Sequence, residues 1–485
     1  MLKYTQSFTF WESTVDALIQ KLSSYSKLGM YSFHTPGHKG RADILSPLVS
    51  PDYDITELPG LDMLHNPQGV IAEAQRRAAT AYGSEETFFL VNGATVGNQA
   101  MFLALASSLK GKKIRIERKA HRSVIGALIL SGLTPEYIPA IIHHEFNLPL
   151  GLNVDDCFSH CEQVGAVHLT NPSYFGTVVD LNSIIKRRDR EKPSIPILVD
   201  QAHGSHFMGS LFPQGAVGQG ADLVVHSTHK TMAALTQAGM LHVKGVRVDK
   251  VSLKKALELL QTSSPSYLLM ASLENAIDHL ENNQLWGDLY GEVIRLHEEL
   301  DGFLRILTTK DVGHFGIKEI DWTKILINVL PLGISASEAV EILRSSFNIE
   351  PELWDDFNIL FMLGIGNKPE EVILLRKALE NLVKRYPPKK NIRHSLIDKE
   401  KTSHLPPVRL TPREAWLAPK REVRIKDSLG RIAGETISIY PPGIPLVAAG
   451  EEITSYVVDY LFRAEDYNWQ GWQGFKQGVI QVLDV

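Results

Sequence analysis

Cysteine is almost missing from this chain. Cys157 and Cys161 are the only two in 485 residues. They are too few for a disulfide framework and lack the paired spacing of a zinc ribbon, so two reduced thiols in a cytoplasmic protein are expected. No run of 18 apolar residues occurs, and Met1-Leu-Lys-Tyr-Thr-Gln has no apolar stretch after it of the signal-peptide kind; neither a membrane span nor a leader is expected. Positive charge is not in excess. Fifty Lys and Arg stand against 55 Asp and Glu, a formal net charge of -5, and no arginine-rich block marks a nucleic-acid partner. Internal repeats and low-complexity tracts are also lacking. What remains is an ordinary globular composition, 44% hydrophobic and 22% charged, on a chain long enough for two or three domains.

One stretch organises the rest. Asp222-Leu-Val-Val-His-Ser-Thr-His-Lys230 reads as a short buried strand running into a polar turn that ends on a lysine. Upstream, Ile195-Pro-Ile-Leu-Val-Asp200 is a second apolar run, ending on an aspartate. Adjacent parallel strands would bring both side chains to the carboxyl edge of the sheet, where open α/β sheets bind ligands. A partly desolvated lysine amine can attack an aldehyde cofactor. A buried carboxylate can keep a pyridine nitrogen protonated. Together these are the protein's half of pyridoxal phosphate chemistry; a structural ion pair is the competing explanation of the two residues alone.

Taken in order, residues 1 to 30 read as an amphipathic arm with Val15, Leu18, Ile19 and Leu22 on one helical face. The turn His34-Thr-Pro-Gly-His38 and the acidic segment Asp54-Ile-Thr-Glu-Leu-Pro-Gly-Leu-Asp62 follow, each either plain loop or active-site rim. Phe88 to Val91 is a strand, and Asn92-Gly-Ala-Thr-Val-Gly-Asn98 opens a helix running through Leu109. That order offers free N–H groups and a favourable dipole to an anion, without the lysine of a Walker loop. Lys113–Ile116 is a strand that leads to His121-Arg-Ser123 and another helix. Further strands at 166–170, 195–200, 222–226 and 240–243 complete a mostly parallel sheet with helices on both faces. Thr262-Ser-Ser-Pro-Ser-Tyr267 then breaks the pattern before a helical stretch from about 268 to 306. A smaller α+β unit has strands at 322–329 and 358–363, and helices at 335–345, capped by Ser335, and at 368–385. A Lys/Pro/Arg/His-rich linker, 386–393, precedes a last unit carrying Tyr440-Pro-Pro-Gly-Ile-Pro445. The expected division is an arm (1–30), a large cofactor-binding domain (31–262), a small α+β domain (263–388) and a C-terminal domain (389–485).

These motifs resemble those of the Orn/Lys/Arg decarboxylases, enzymes of pyridoxal-phosphate fold type I, in the short bacterial form without an N-terminal wing domain. His34–His38, Asp54–Asp62, Asn92–Thr95, His121–Ser123, Asp200–His203, Ser227–Lys230, Thr262–Tyr267 and Tyr440–Pro445 carry the likeness in the family's order. It implies an α/β large domain around a seven-stranded-type sheet, a smaller α+β domain and an extra C-terminal domain. It implies pyridoxal 5'-phosphate attached at Lys230, with Asp200 on the pyridine nitrogen and His121 stacked on the ring. Ala94 (through its backbone), Thr95, Ser227 and His229 would hold the phosphate, and Ala202 and His203 would pack beneath or beside the ring. Thr262 and Ser263, with the Tyr440 loop, would act on a neighbour's cofactor in a homodimer or larger homo-oligomer. Two residues depart from the pattern. Val96 stands where relatives often have a second hydroxyl, and Gln201 where short-form relatives often have Glu.

The implied reaction is decarboxylation of arginine, lysine or ornithine to the corresponding polyamine-pathway amine, with arginine favoured by analogy. Lys230 or His229 would protonate Cα. Glu57, Asp62 and Glu435 are the candidate partners for the substrate's distal cation. The alternatives are another fold type I activity, an aminotransferase (Arg344 being an available carboxylate partner) or a lyase, and a catalytically inactive regulatory homologue. Metal sites at His203/His206 or His226/His229 are not expected, because no carboxylate motif accompanies either pair.

Overall fold

The computed structural model describes residues 27–39, 41–45, 54–58, 61–159, 163–280, 283–389, 405–439, 444–463, 469–472 and 474–484. The expected arm helix, Cys161 and residues 440–443 lie outside them.

Seven strands form the large sheet: β1 (Glu86–Leu90), β2 (Lys113–Glu117), β3 (Thr134–Ile138), β4 (Val164–Thr170), β5 (Ile197–Asp200), β6 (Leu223–His226) and β7 (Gly239–Val243). Their order is β1-β7-β6-β5-β4-β2-β3. β2 to β6 pair in parallel, and β7 runs antiparallel to both β6 and β1. Six of these strands are legible as apolar runs. β3, Thr-Pro-Glu-Tyr-Ile, is not, and its proline confines it to the sheet edge, where it sits.

The central strands are buried on both faces, as parallel sheets covered by helices must be. Ile197 and Val199 pack with Val167, Leu169 and Val224 on one face, while Leu198 packs with Leu223 and Val225 on the other. The two-residue period therefore puts Asp200 on the Leu198 face. Helices α1 (Val70–Tyr82), α2 (Gly93–Leu105) and α3 (Arg122–Ser131) follow the acidic segment, β1 and β2 respectively. α2 lies tight on the sheet at Gly97, where a Cβ would stand 2.5 Å from Val225 Cγ2. Only glycine permits that approach, and it brings the start of α2 to the carboxyl ends of β5 and β6.

The smaller unit is a four-stranded antiparallel sheet of Arg305–Ile306, Lys324–Asn328, Asn358–Met362 and Leu353–Trp354, in that order. Helices Ala336–Phe347, capped by Ser335, and Pro369–Arg385 accompany it. The helical stretch expected over 268–306 is two helices, Tyr267–Asp278 and Asn283–Leu300, followed by a short strand. The C-terminal unit pairs Lys420–Arg424 with Val479–Leu483 around its own core of Ile437, Val447, Ile453, Val457, Ile480 and Val482. It docks on the large sheet through a buried ion pair: Arg118, just past β2, donates to Glu451 at 2.9 Å and to the carbonyls of Pro445 and Leu446 at 3.1 and 3.3 Å. No helix among the described residues is long and apolar enough to cross a membrane.

Candidate active site

Asp200 ends β5 directly beside Thr170 of β4 and Val225 of β6. It is 3% exposed, so its charge requires donors. Asn98 of α2 donates to Oδ2 at 2.8 Å and the Ala202 N–H to Oδ1 at 3.0 Å. Asn98 also donates to Ser123 Oγ at 2.9 Å and accepts from His168 Nε2 at 3.3 Å. Burial lowers the His168 pKa to about 4, so it stays neutral beside the carboxylate.

The Ser-Thr-His-Lys run leaves β6 as a single 3-10 turn, Thr228–Lys230. Lys230 Nζ lies 2.8 Å from His203 Nε2. Burial drives the amine below the ordinary lysine range; Asp200 and Glu352 pull it back up and Lys324 pushes it further down. His229 turns away from this pair. Its Nδ1 donates to the Ala238 carbonyl at 3.0 Å, and burial lowers its pKa to about 4.

His121 is the N-cap of α3, with Nδ1 accepting from the Ser123 N–H at 3.2 Å and 2.9 Å from Ser123 Oγ. The residue is exposed. At the start of α2, Gly93 takes φ +77° and the N-cap Asn92 makes no side-chain cap. Its Oδ1 accepts instead from the Thr262 N–H at 3.1 Å. The first-turn donors, those of Ala94 and Thr95 among them, are left uncapped by side chains, and an anion suits them.

Three turns close around Lys230. Gly37 N donates to the His229 carbonyl at 2.6 Å, Ile365 N to Thr231 O at 2.8 Å and Gly366 N to Gly37 O at 2.9 Å. A Cβ on Gly37 would stand 2.5 Å from the Thr231 carbonyl carbon, and one on Gly364 would stand 2.7 Å from Gly37 Cα. The His34–His38 turn is thus a wedge between the lysine turn and the small unit. Lys39 beside it donates to Met362 O at 3.0 Å, and burial lowers its pKa to about 7.

This wedge brings in an acid that sequence reasoning missed. Glu352, on the turn before Leu353, accepts from Thr35 N at 2.8 Å and from Tyr174 OH at 2.6 Å, and its charge reaches Lys230. Nothing in the local sequence marks it, because it arrives from the small unit. Asn98 was missed too; a register count from Gly93 along α2 could have found it.

The other candidates are more scattered. Asp62 accepts from the N–H groups of Met63, Gln68, Gly69, Ile71 and Ala72, at 2.7 to 3.2 Å, and so anchors the start of α1. Glu57 is exposed nearby, within electrostatic reach of Tyr267. Glu435 is buried in the C-terminal unit, accepting from Gln481 N at 2.9 Å. Thr262 and Ser263 sit on a loop against Asn92, Ser263 exposed. Ser227 and Ala202 are buried at the strand ends. Val96 packs into the core below α2, and Gln201 faces away from the Asp200 side, bonding Gly204 O, Ala216 N and His226 at 2.7 to 2.9 Å. Arg344 is committed to Glu350, at 2.8 Å, and to the Trp354 ring.

Pyridoxal phosphate fits this donor set. An amine and a carboxylate flank one edge, an exposed imidazole offers a stacking face, and an uncapped helix start offers N–H donors. Thr228 Oγ1 and His203 Nδ1 are moreover buried without a hydrogen-bond partner, polar atoms in place at the site.

Comparison with known proteins agrees with this geometry. The family model for the Orn/Lys/Arg decarboxylase major domain matches residues 16–327, and that for the C-terminal domain of the same family matches residues 396–481. The chain is 35% identical over 463 residues to the uncharacterized protein YaaO of Bacillus subtilis (strain 168), covering 92% of this chain and 93% of that one. It is 33% identical over 472 residues to an arginine decarboxylase of Halalkalibacterium halodurans, covering 92% of each. The solved lysine decarboxylase LdcF of Francisella novicida superposes with a TM-score of 0.75 at 19% identity, over 96% of this chain and 80% of that one.

Proposed function

This chain belongs to the Orn/Lys/Arg decarboxylase family, pyridoxal-phosphate carboxy-lyases of fold type I that act on basic amino acids, and we propose that it removes the α-carboxyl group of arginine, with lysine and ornithine as the other candidates. The observation that carries the site assignment is a desolvated Lys230 amine, in the turn that leaves β6, within electrostatic reach of an Asp200 carboxylate fixed by two donors at the end of the neighbouring strand.

The cofactor's pyridine ring, when bound, supplies the electron sink for the pair of electrons left when the carboxylate departs. The protein's own residues do the rest. Asp200 would hold a proton at the ring nitrogen, and Asn98 and the Ala202 N–H keep its carboxylate aimed. His121 would stack on the ring. Ala94 N, Thr95, Ser227 and His229 would hold the phosphate at the start of α2, and Ala202 would pack beneath or beside the cofactor. Lys230 would attach it and return a proton to Cα.

For the distal cation we favour Glu352. It is the acid that the wedge delivers toward Lys230, and its charge acts on that amine; Asp62 anchors the start of α1, Glu435 sits in the C-terminal unit, and Glu57 is the remaining acid, exposed beyond the rim. Thr262, whose hydroxyl bonds Ser264, and the exposed Ser263 would meet a partner's cofactor in a homodimer. Arg344 is occupied, which leaves the aminotransferase reading without its carboxylate partner. Chromatography of the amines formed from arginine, lysine and ornithine tests the assignment: agmatine as the dominant product supports it, and a keto acid product without CO2 release would end it.

A further inference from the structure

His203 does more than pack beside the ring. Its Nε2 is 2.8 Å from Lys230 Nζ, so one nitrogen carries the shared hydrogen and the other offers a lone pair. The opposite nitrogen, Nδ1, is buried with no hydrogen-bond partner. Metal-binding and triad histidines have that second nitrogen pinned, which fixes their tautomer. Here Lys230 is the partner that decides it.

The ring itself is well held. It packs on Tyr174 at 4.6 Å between centroids, the Tyr174 hydroxyl is anchored on Glu352, and the His203 carbonyl accepts from Lys324 Nζ at 3.3 Å. Position is fixed while protonation is free. The neighbouring groups do not offer this. His229 Nδ1 is bound to Ala238 O, and Asp200 is bound to Asn98 and the Ala202 N–H. Lys324 is neutralised by Asp321, which also bonds His206.

We propose that His203 is the proton-exchange partner of Lys230: Nε2 takes one hydrogen from the Lys230 ammonium, freeing a neutral nucleophilic amine, and later gives it back from the same atom. One N–H bond breaks on Nζ, one forms on Nε2, and the positive charge moves to the imidazole; no further reactant is required. Burial, followed by Lys230, Lys324, His121 and His229, lowers the His203 pKa, so Nε2 rests with its lone pair free and holds the proton only in passing before returning it. Burial likewise drives Lys230 toward its neutral form, against the pull of Asp200 and Glu352. The proposal rests on Lys230 being the attachment lysine.

The test is the rate at which pyridoxal 5'-phosphate, added to the full-length cofactor-free chain, becomes fixable by borohydride at Lys230, followed from about pH 6 to about pH 10. His203→Gln keeps a polar side chain but cannot take the proton. We expect its rate at neutral pH to fall about tenfold and its midpoint to move up by about one pH unit, with an unchanged circular dichroism melt. Label at Lys230 with a wild-type profile overturns the role of His203 and leaves the site standing; label on another lysine overturns both. Should His203→Gln not fold, histidine C2-hydrogen exchange read by mass spectrometry in Lys230→Met decides. Loss of the cation raises the His203 midpoint if the two are coupled, and an unmoved midpoint refutes the coupling.

Discussion

Asn98 Nδ2 bonds Asp200 Oδ2 at 2.8 Å, and the same amide reaches Ser123 Oγ, which lies 2.9 Å from His121 Nδ1. One side chain thus connects the acid proposed for the ring nitrogen to the imidazole proposed to stack on the ring. Asn98→Ala removes a charge-assisted donor from a buried carboxylate, at a cost of about 1–3 kcal/mol. We expect cofactor to remain bound, turnover to fall at least about tenfold and the denaturation midpoint to drop. Asn98→Asp should be worse, since it sets carboxylate against carboxylate. Wild-type turnover in Asn98→Ala would remove Asn98 from the machinery.

Glu352→Gln should raise KM for the basic amino acid by about ten- to a hundredfold, the loss of one charged contact of about 1–3 kcal/mol. The ultraviolet–visible spectrum of the loaded protein should stay nearly unchanged. Tyr174→Phe, which frees one Glu352 oxygen, should act in the same direction but more weakly. An unchanged KM in Glu352→Gln would return the distal-cation role to Glu57 or to a partner subunit.

The Arg118–Glu451 pair joins the C-terminal unit to the large sheet with side chains 8% and 1% exposed. Glu451→Gln leaves a buried guanidinium without its counter-charge, a loss of about 3–5 kcal/mol. A thermal melt should fall accordingly, and limited proteolysis should release the C-terminal unit. A melt identical to wild type would show that the pair contributes nothing.

Stability should also decline in mild acid. Burial lowers His168 to about 4 and His242 to about 3, against about 6.5 in the unfolded chain. The unfolded state therefore takes up these protons first. Stability is full above about pH 6.5, falls as the pH drops, and levels off only below the folded-state values. From about pH 7 to about pH 5 each histidine removes on the order of 2 kcal/mol. Asp321, held below the usual carboxylate range by Lys324 and His206 although burial works the other way, matters only at lower pH. Calorimetric melting temperatures that stay flat over this interval would contradict the buried-neutral assignment.

The large sheet was readable because β5 and β6 are buried on both faces and spell out Ile-Leu-Val-Asp and Leu-Val-Val-His. An acid or lysine just past such a run must emerge at the carboxyl edge, so Asp200 and Lys230 follow from local sequence. Glu352 does not. It reaches the site through a contact with Thr35, 317 positions away, and no periodicity encodes such a meeting. Asp62 is ambiguous in the sequence for a related reason. A carboxylate beside a helix start can anchor backbone N–H groups or meet a ligand, and the anchoring seen here is set by the fold of residues 62–72. The Tyr440–Pro445 segment, a major part of the family likeness, lies largely outside the described residues.

Peptide mapping of the borohydride-reduced, cofactor-loaded protein tests the account most directly. It predicts a single pyridoxyl group on Lys230, with Lys230→Ala folded yet unlabelled and at least about a thousandfold slower in CO2 release. A pyridoxyl group on any other residue, or undiminished CO2 release from Lys230→Ala, would contradict it.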